Sequence, residues 1–390
     1  PAGSIRMDTV VGEAAGAARA VHDGNFVFDF VPPGEPVIMT ARHDATMRRG
    51  LAKSAPTAEI SKAMALDRLD ELRTDPVARK TIRKVWAEAG VNAVGVTLGC
   101  IAMDTAGWDQ VLWDAAYWQA RARAGGDMEI CTSADALEAA ARAGKIGLLL
   151  GLQDSASIGK ELDRLDVLFN LGLRVLQLTY NNRNLVGDGC TERDPGGLSR
   201  FGAEFVERLN KLGVIVDISH CGPKTSLDAI AVSGRPVAVA HAGCRVLSDH
   251  PRCKTDDVLR AVRDCDGYFG VVMLPLFLDV RGGANLDTMI RHIAHAAAIV
   301  GPERIGIGSD WGSWSPDFPL ELLLSMHDMM LAHGFRKADL PTGHMCLPEV
   351  PRFQDWPRLT AALLAHGFSP SETRGIIGRN WLNYMRRAGL

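Results

Sequence analysis

The sequence predicts a single-domain α/β fold, a (β/α)8 TIM barrel, and two observations carry that prediction. Eight short runs rich in aliphatic and β-branched residues recur along the chain, at 25–31, 91–98, 145–153, 173–180, 213–220, 235–241, 267–274 and 304–310. They are near-continuously apolar rather than alternating, which is the pattern of parallel strands covered on both faces. Helical patterns separate most of them, opening near Ser, Thr or Asp and closing at Gly as helix caps require. An open doubly wound sheet is the competing fold. The Gly-rich turn GxGxxG that its dinucleotide-binding form places after a first strand is missing, which favours the barrel.

In chain order, residues 1–24 read as an N-terminal extension and 25–390 as the barrel domain. The run "NFVFDFV" (25–31) is read as the first strand, with 37–44 as the alternative, and the stretch from there to "VNAVGVTL" (91–98) as a helical insertion between strands one and two. Trp86, Trp108, Trp113 and Trp118 lie close together in sequence; an aromatic stripe at that spacing reads as core. Later helices are expected over "SADALEAAARAG" (133–144), "GAEFVERLNKLG" (202–213), "KTSLDAIAVSG" (224–234) and "DDVLRAVRDCDG" (256–267). His292 and His295 stand at i, i+3 on another amphipathic helix without the HExxH arrangement, so they read as packing or surface.

Composition excludes several classes. A formal net charge of −3 with scattered Lys and Arg gives no field for nucleic acid and no polybasic membrane anchor. No run reaches the roughly 18 apolar residues of a span, and the first residues carry no basic-then-apolar leader pattern. The eight cysteines occur singly, with no CxxC pair, so reduced thiols and a cytoplasmic location are expected. A homo-oligomer is compatible with the aromatic-rich stretch 108–118 and with "HDMMLAHGF" (327–335), each of which reads equally as ordinary core.

Active sites of this fold collect at the C-terminal ends of the strands. The polar residues closing five of the runs are Gln153, Tyr180, His220, His241 and Asp310, and a barrel aims all of them at one mouth. Two imidazoles on adjacent strand ends suit a shared metal ion, and such an ion lowers the pKa of its water and polarises a carbonyl. Asp310 could take the proton from that water and pass it to a leaving amine. Arg252, in the loop after strand six, suits a substrate carboxylate through a bidentate pair, or is simply a surface residue. Asp217 could orient His220, or bond a neighbouring loop instead. Cys221 and Cys244 each lie just behind a histidine and read as small buried filler.

These segments resemble the membrane (renal) dipeptidases of the metal-dependent amidohydrolase superfamily. The resemblance runs from about residue 90 to the end, through "LGLRVLQLTYNN", "GLSRFGAEFVERLNKLGVIVDISH", "RPVAVAHAG", "HPRCKTDDVLRAV", "RIGIGSD" and "GIIGRNWLNYM". It implies a binuclear zinc enzyme that cleaves dipeptides. His220 and His241 match the histidine pair of one zinc, Asp310 the proton-shuttling Asp, and Arg252 the Arg that holds the substrate carboxylate. Three positions depart from the pattern. The bridging Glu is Gln153; the strand-one His-x-Asp falls on Val31 and Pro33; and the His after strand four is Tyr180, a phenol that can donate to an oxyanion. His43 and Asp44 lie near strand one, but adjacent residues point to opposite strand faces. The expectation is one zinc ion at most, on His220 and His241 with Gln153. Three readings stay open: hydrolysis of a small amide or dipeptide with a free carboxylate, a lyase, isomerase or tailoring step on a small acid, and ligand binding without turnover.

Overall fold

A computed structural model describes residues 16–30, 35–36, 38–101, 104–310 and 316–390. Eight parallel strands run in sequential order around it: β1 (Phe28–Phe30), β2 (Ala93–Leu98), β3 (Ile146–Leu152), β4 (Leu173–Gln177), β5 (Ile215–Asp217), β6 (Ala238–Cys244), β7 (Tyr268–Val271) and β8 (Ile305–Ile307). Each lies within or overlaps one of the eight apolar runs. Two short side strands, Met128–Ile130 and Cys253–Lys254, pair with β3 and β6. The residues of β1, β2 and β4 to β8 are buried with almost no exception because helices cover the outside and side chains fill the inside.

Strands β1 and β8 end the ladder order, and a side chain joins them. Asp29 accepts from the Ser309 amide at 2.8 Å and from its hydroxyl at 2.6 Å, and from Trp356 Nε1 at 3.1 Å. Asp29 is fully buried. Burial pushes its carboxyl up to about 6, against the lowering by its Ser309 and Trp356 bonds.

The insertion between β1 and β2 is helical: Ala41–Ala52, Thr57–Thr74 and Pro76–Ala89. Thr40 caps the first by accepting from His43 N, and Asp75 caps the third by accepting from Val77 N and Ala78 N. Strand one therefore lies within the 25–31 segment, at Phe28–Phe30, and residues 41–44 are helical. His43 and Asp44 sit in the first of these helices and not on a strand, which removes them from the barrel's metal-ligand positions. Val31 and Pro33 lie outside the described residues.

The later helices follow their caps: Ala134–Arg142 behind Ser133, Arg200–Leu212 behind Ser199, Pro223–Val232, and Asp256–Asp264 behind Thr255. His292 is a packing residue. Its Nδ1 accepts from Cys244 N at 2.9 Å and its Nε2 donates to Leu278 O at 2.9 Å. A Cβ on Gly270 or Gly308 would run into the Ala240 carbonyl, so β7 and β8 approach β6 just before His241 more closely than a side chain allows. No helix among the described residues is long and apolar enough to cross a membrane.

Candidate active site

The mouth is built outward from Asp217, the last residue of β5. Its Oδ1 accepts from Ser219 N at 2.9 Å, from Ser219 Oγ at 2.5 Å and from Ala240 N at 3.1 Å. Ser219 Oγ in turn accepts from His241 N at 3.1 Å. One buried carboxylate thereby fixes the loop carrying His220 to the strand carrying His241. Asp217 acts on backbone and not on an imidazole, so of its two expected roles the loop-bonding one holds.

Every carbonyl of that loop then receives a donor. Lys254 Nζ donates to Ile218 O at 2.6 Å and to Cys221 O at 2.7 Å. Arg252 donates from one terminal nitrogen to Ser219 O at 2.5 Å and from the other to His241 O at 3.1 Å. His220 O accepts from Cys190 N at 2.8 Å. A loop so saturated has little freedom to reorient its imidazole.

His220 lies three residues beyond β5, whereas His241 lies inside β6. Their Nε2 atoms face each other at 2.9 Å. His220 Nδ1 is 2.8 Å from Asn181 Oδ1, which can only accept, so Nδ1 carries the proton and Nε2 offers a lone pair. His241 Nδ1 is buried with no hydrogen-bond partner. Burial, and then the Arg252 charge, hold both imidazoles well below their usual range, so both are neutral near neutral pH. Tyr180, three residues beyond β4, stacks on the His220 ring at 4.2 Å between centroids. Burial pushes its phenol up, which keeps it a donor.

Asp310 follows β8 with φ of 53°, a left-handed conformation that costs a non-glycine residue free energy, though Asp adopts it more readily than most. Burial pushes its carboxyl up to about 7, against the pull of Arg252. Arg252 is buried, not a surface residue. Its guanidinium lies 5.3 Å from the Phe277 ring centroid and its Nε has no hydrogen-bond partner. His250 supports it: Nδ1 accepts from Arg252 N at 3.1 Å while Nε2 meets Asp339 at 3.2 Å.

Gln153 directly follows β3, and its amide hydrogen-bonds neither histidine; its Nε2 is buried without a partner. Cys221 and Cys244 are buried filler as read. Among the described residues no group of three or more His, Cys, Asp or Glu side chains converges as a metal site. The facing imidazoles are neutral donors of the type a divalent ion takes, His241 once its Nε2 proton, which now bonds His220 Nε2, has moved to Nδ1.

Asn181, Ser219 and Lys254 were not singled out in the sequence. Asn181 stands beside Tyr180 in "TYNN", and Lys254 two residues past Arg252 in "PRCKTDD"; a basic residue in a run that enters a buried strand was the available signal. Burial pushes the Lys254 ammonium down to about 8. Its folded pKa is below the unfolded value, so the fold binds fewer protons between about pH 8 and 10, and this contribution to stability grows as pH rises. We expect Lys254→Met to cost about 1–3 kcal/mol near neutral pH by orphaning two carbonyls. The gap to wild type should widen by about 2 kcal/mol from pH 8 to 10 in urea unfolding; a gap that stays flat would refute a buried ammonium.

The chain matches the membrane dipeptidase family, peptidase family M19, over residues 80–324. It is 30% identical over 246 residues to the dipeptidase verJ of Clonostachys rogersoniana, an overlap of 63% of this chain and 56% of that protein. It is 35% identical over 170 residues to an uncharacterized dipeptidase of Schizosaccharomyces pombe, covering 43% of this chain and 42% of that one. The chain thus matches about half the length of these curated relatives. Among solved structures, an amidohydrolase from Pseudomonas aeruginosa aligns with a TM-score of 0.72 at 25% identity, over 95% of this chain and 98% of that one. The probable dipeptidase PvdM from Pseudomonas aeruginosa aligns with a TM-score of 0.70 at 18% identity, over 96% and 98%, and shares the fold. By its family match, its relatives and its barrel, this chain belongs to the membrane dipeptidase family of metallopeptidases, M19.

Proposed function

We propose that the chain is a dipeptidase-like hydrolase that cleaves a dipeptide or similar small amide bearing a free carboxylate. The observation that supports this most is the pair of buried neutral imidazoles with Nε2 atoms 2.9 Å apart, bonded into the same frame as a buried arginine. His220 and His241 would hold one divalent ion, zinc being the expected one, with Gln153 as a neutral third donor. An ion there polarises a carbonyl and lowers the pKa of water.

The chain's own groups supply the rest. Each terminal nitrogen of Arg252 keeps a second N–H beyond its backbone bond, so the guanidinium can hold the loop and still meet a substrate carboxylate. Asp310, with a pKa near 7, is suited to accept a proton from the attacking water and return it to the amine as the C–N bond breaks. Tyr180 would donate to the oxygen on which charge develops.

The test compares Leu-Gly with its C-terminal amide, Leu-Gly-NH2. The free acid should be cleaved about 100-fold more efficiently, since the amide leaves a buried guanidinium without its counter-charge. Equal cleavage of both would defeat the role given to Arg252; cleavage of neither, with zinc supplied, would defeat hydrolysis.

A further inference from the structure

The insertion helices, Glu35 and Pro36 beyond β1, Cys100 and Ile101 beyond β2, and Phe318, Leu322 and Met326 line a pocket of about 180 Å³. Its walls are largely apolar: Met39, Met64, Trp118, Phe318, Leu322 and Met326. It lies where three separate apolar clusters meet. Glu35, Arg68 and His43 also line it, and these are paired with one another or with neighbours, His43 Nε2 lying 3.6 Å from Glu71. Glu35 meets Arg68 at 3.6 Å and also Arg121, Arg68 meets Glu71 at 3.2 Å, and Arg121 meets Asp127 at 2.8 Å. A pocket of this size accommodates a benzene-sized group, and methionine walls adapt to several apolar shapes.

The pocket adjoins the mouth. Cys100 and Ile101, just past the C-terminal end of β2, line it, and that end of each strand faces the mouth. Position in the barrel then sets which part of a substrate reaches it. β2 is four strands from β6 in a ring of eight, so the pocket stands across the mouth from Arg252, which follows β6. A substrate whose carboxylate is anchored at Arg252 and which crosses the histidine pair would bring its far, acyl-side residue to the pocket.

We propose that this pocket is the subsite for a large apolar side chain, branched aliphatic or aromatic, on the acyl residue of the substrate. The proposal rests on the dipeptidase reading for its orientation, and the insertion between β1 and β2 becomes the element that sets substrate preference. The apolar walls offer nothing to a charged side chain and the lining Glu35 and Arg68 are already paired, so acidic and basic acyl residues are disfavoured.

The probes are Gly-Gly, Leu-Gly, Phe-Gly and Gly-Phe, with kcat/KM measured in zinc and Kd by calorimetry in chelator. Wild type should prefer Phe-Gly and Leu-Gly over Gly-Gly by about tenfold or more, the range that a fitted apolar group commands. Gly-Phe, with its side chain on the carboxylate residue, should show no such gain. Ala65 and Ser61 also line the pocket from one face of helix Thr57–Thr74, so Ala65→Phe and Ser61→Phe should each fill it. In each the Phe-Gly to Gly-Gly ratio should fall by about tenfold. No preference in wild type, a preference for Gly-Phe instead, or a ratio that survives in whichever variants fold would each overturn the subsite. If no dipeptide is turned over but Phe-Gly still binds preferentially and loses that preference in the variants, the hydrolase reading fails and the subsite stands.

Discussion

Replacing Asp29 by alanine should destabilise the protein by about 2–4 kcal/mol near neutral pH, because it leaves the Ser309 amide, the Ser309 hydroxyl and the Trp356 indole N–H buried without an acceptor. The lost bonds exceed what is regained by no longer burying a carboxylate. The pH dependence is the sharper part. The folded pKa of Asp29 is raised to about 6, above the unfolded value, so the native state holds an extra proton between about pH 4 and 6. Its contribution is therefore fully present below that window and is lost as pH rises through it. The deficit of Asp29→Ala should grow by about 3 kcal/mol on acidification from above 6 to about 4. Urea unfolding of both proteins at the two pH values measures this; a deficit that shrinks on acidification would mean Asp29 is an ordinary paired carboxylate. Asp310 is the residue after Ser309, so the variant should also loosen Asp310, to which we assign the proton transfer.

That coupling shows what a sequence conveys and what it withholds. All eight barrel strands are visible as apolar runs because each is buried on both faces, and burial constrains residue type strongly. The ends of those runs name His220, His241, Tyr180, Gln153 and Asp310 because fold geometry alone directs strand ends to the mouth. Asp29 lies in the middle of a first run that is otherwise apolar. A single acid there has no period and no neighbour to mark its partners, which are about 280 and 327 residues away.

The support of the site was illegible for a related reason. Lys254, Ser219 and Cys190 hold the His220 loop through backbone carbonyls or a backbone N–H, and such bonds place no requirement on the residue type at the other end. Asn181 matters because it selects the tautomer of His220. That role depends on a 2.8 Å distance between residues 39 apart in sequence. Arg252 was readable as substrate-facing or as surface, and only its burial, together with its two carbonyl contacts, removes the second alternative. The His43–Asp44 alternative was decided by the Thr40 cap, which starts a helix where a strand would have been needed.

Chelation should abolish hydrolysis, and the metal-binding power of the mouth should change predictably with four residues. With two neutral imidazoles and a neutral amide at hand, we expect no more than one equivalent of zinc, held less tightly than by a site with a carboxylate. His220→Ala and His241→Ala each remove half of the facing pair and should lower kcat/KM by about 1,000-fold and eliminate measurable zinc binding. Asn181→Leu leaves both imidazoles but frees the His220 tautomer, and should weaken zinc by about 10-fold, as outer partners of ligands typically do. Gln153→Glu runs the other way. It places a negative charge at the end of β3, opposes the positive charge of the ion, and should tighten binding by about 10-fold or more. Titration calorimetry on metal-free protein, with elemental analysis of the bound ion, reads all four variants. Two equivalents in wild type would contradict the single-ion site. A Gln153→Glu variant no tighter than wild type would mean that the end of β3 does not reach the ion, and that the imidazole pair binds it without help from that strand.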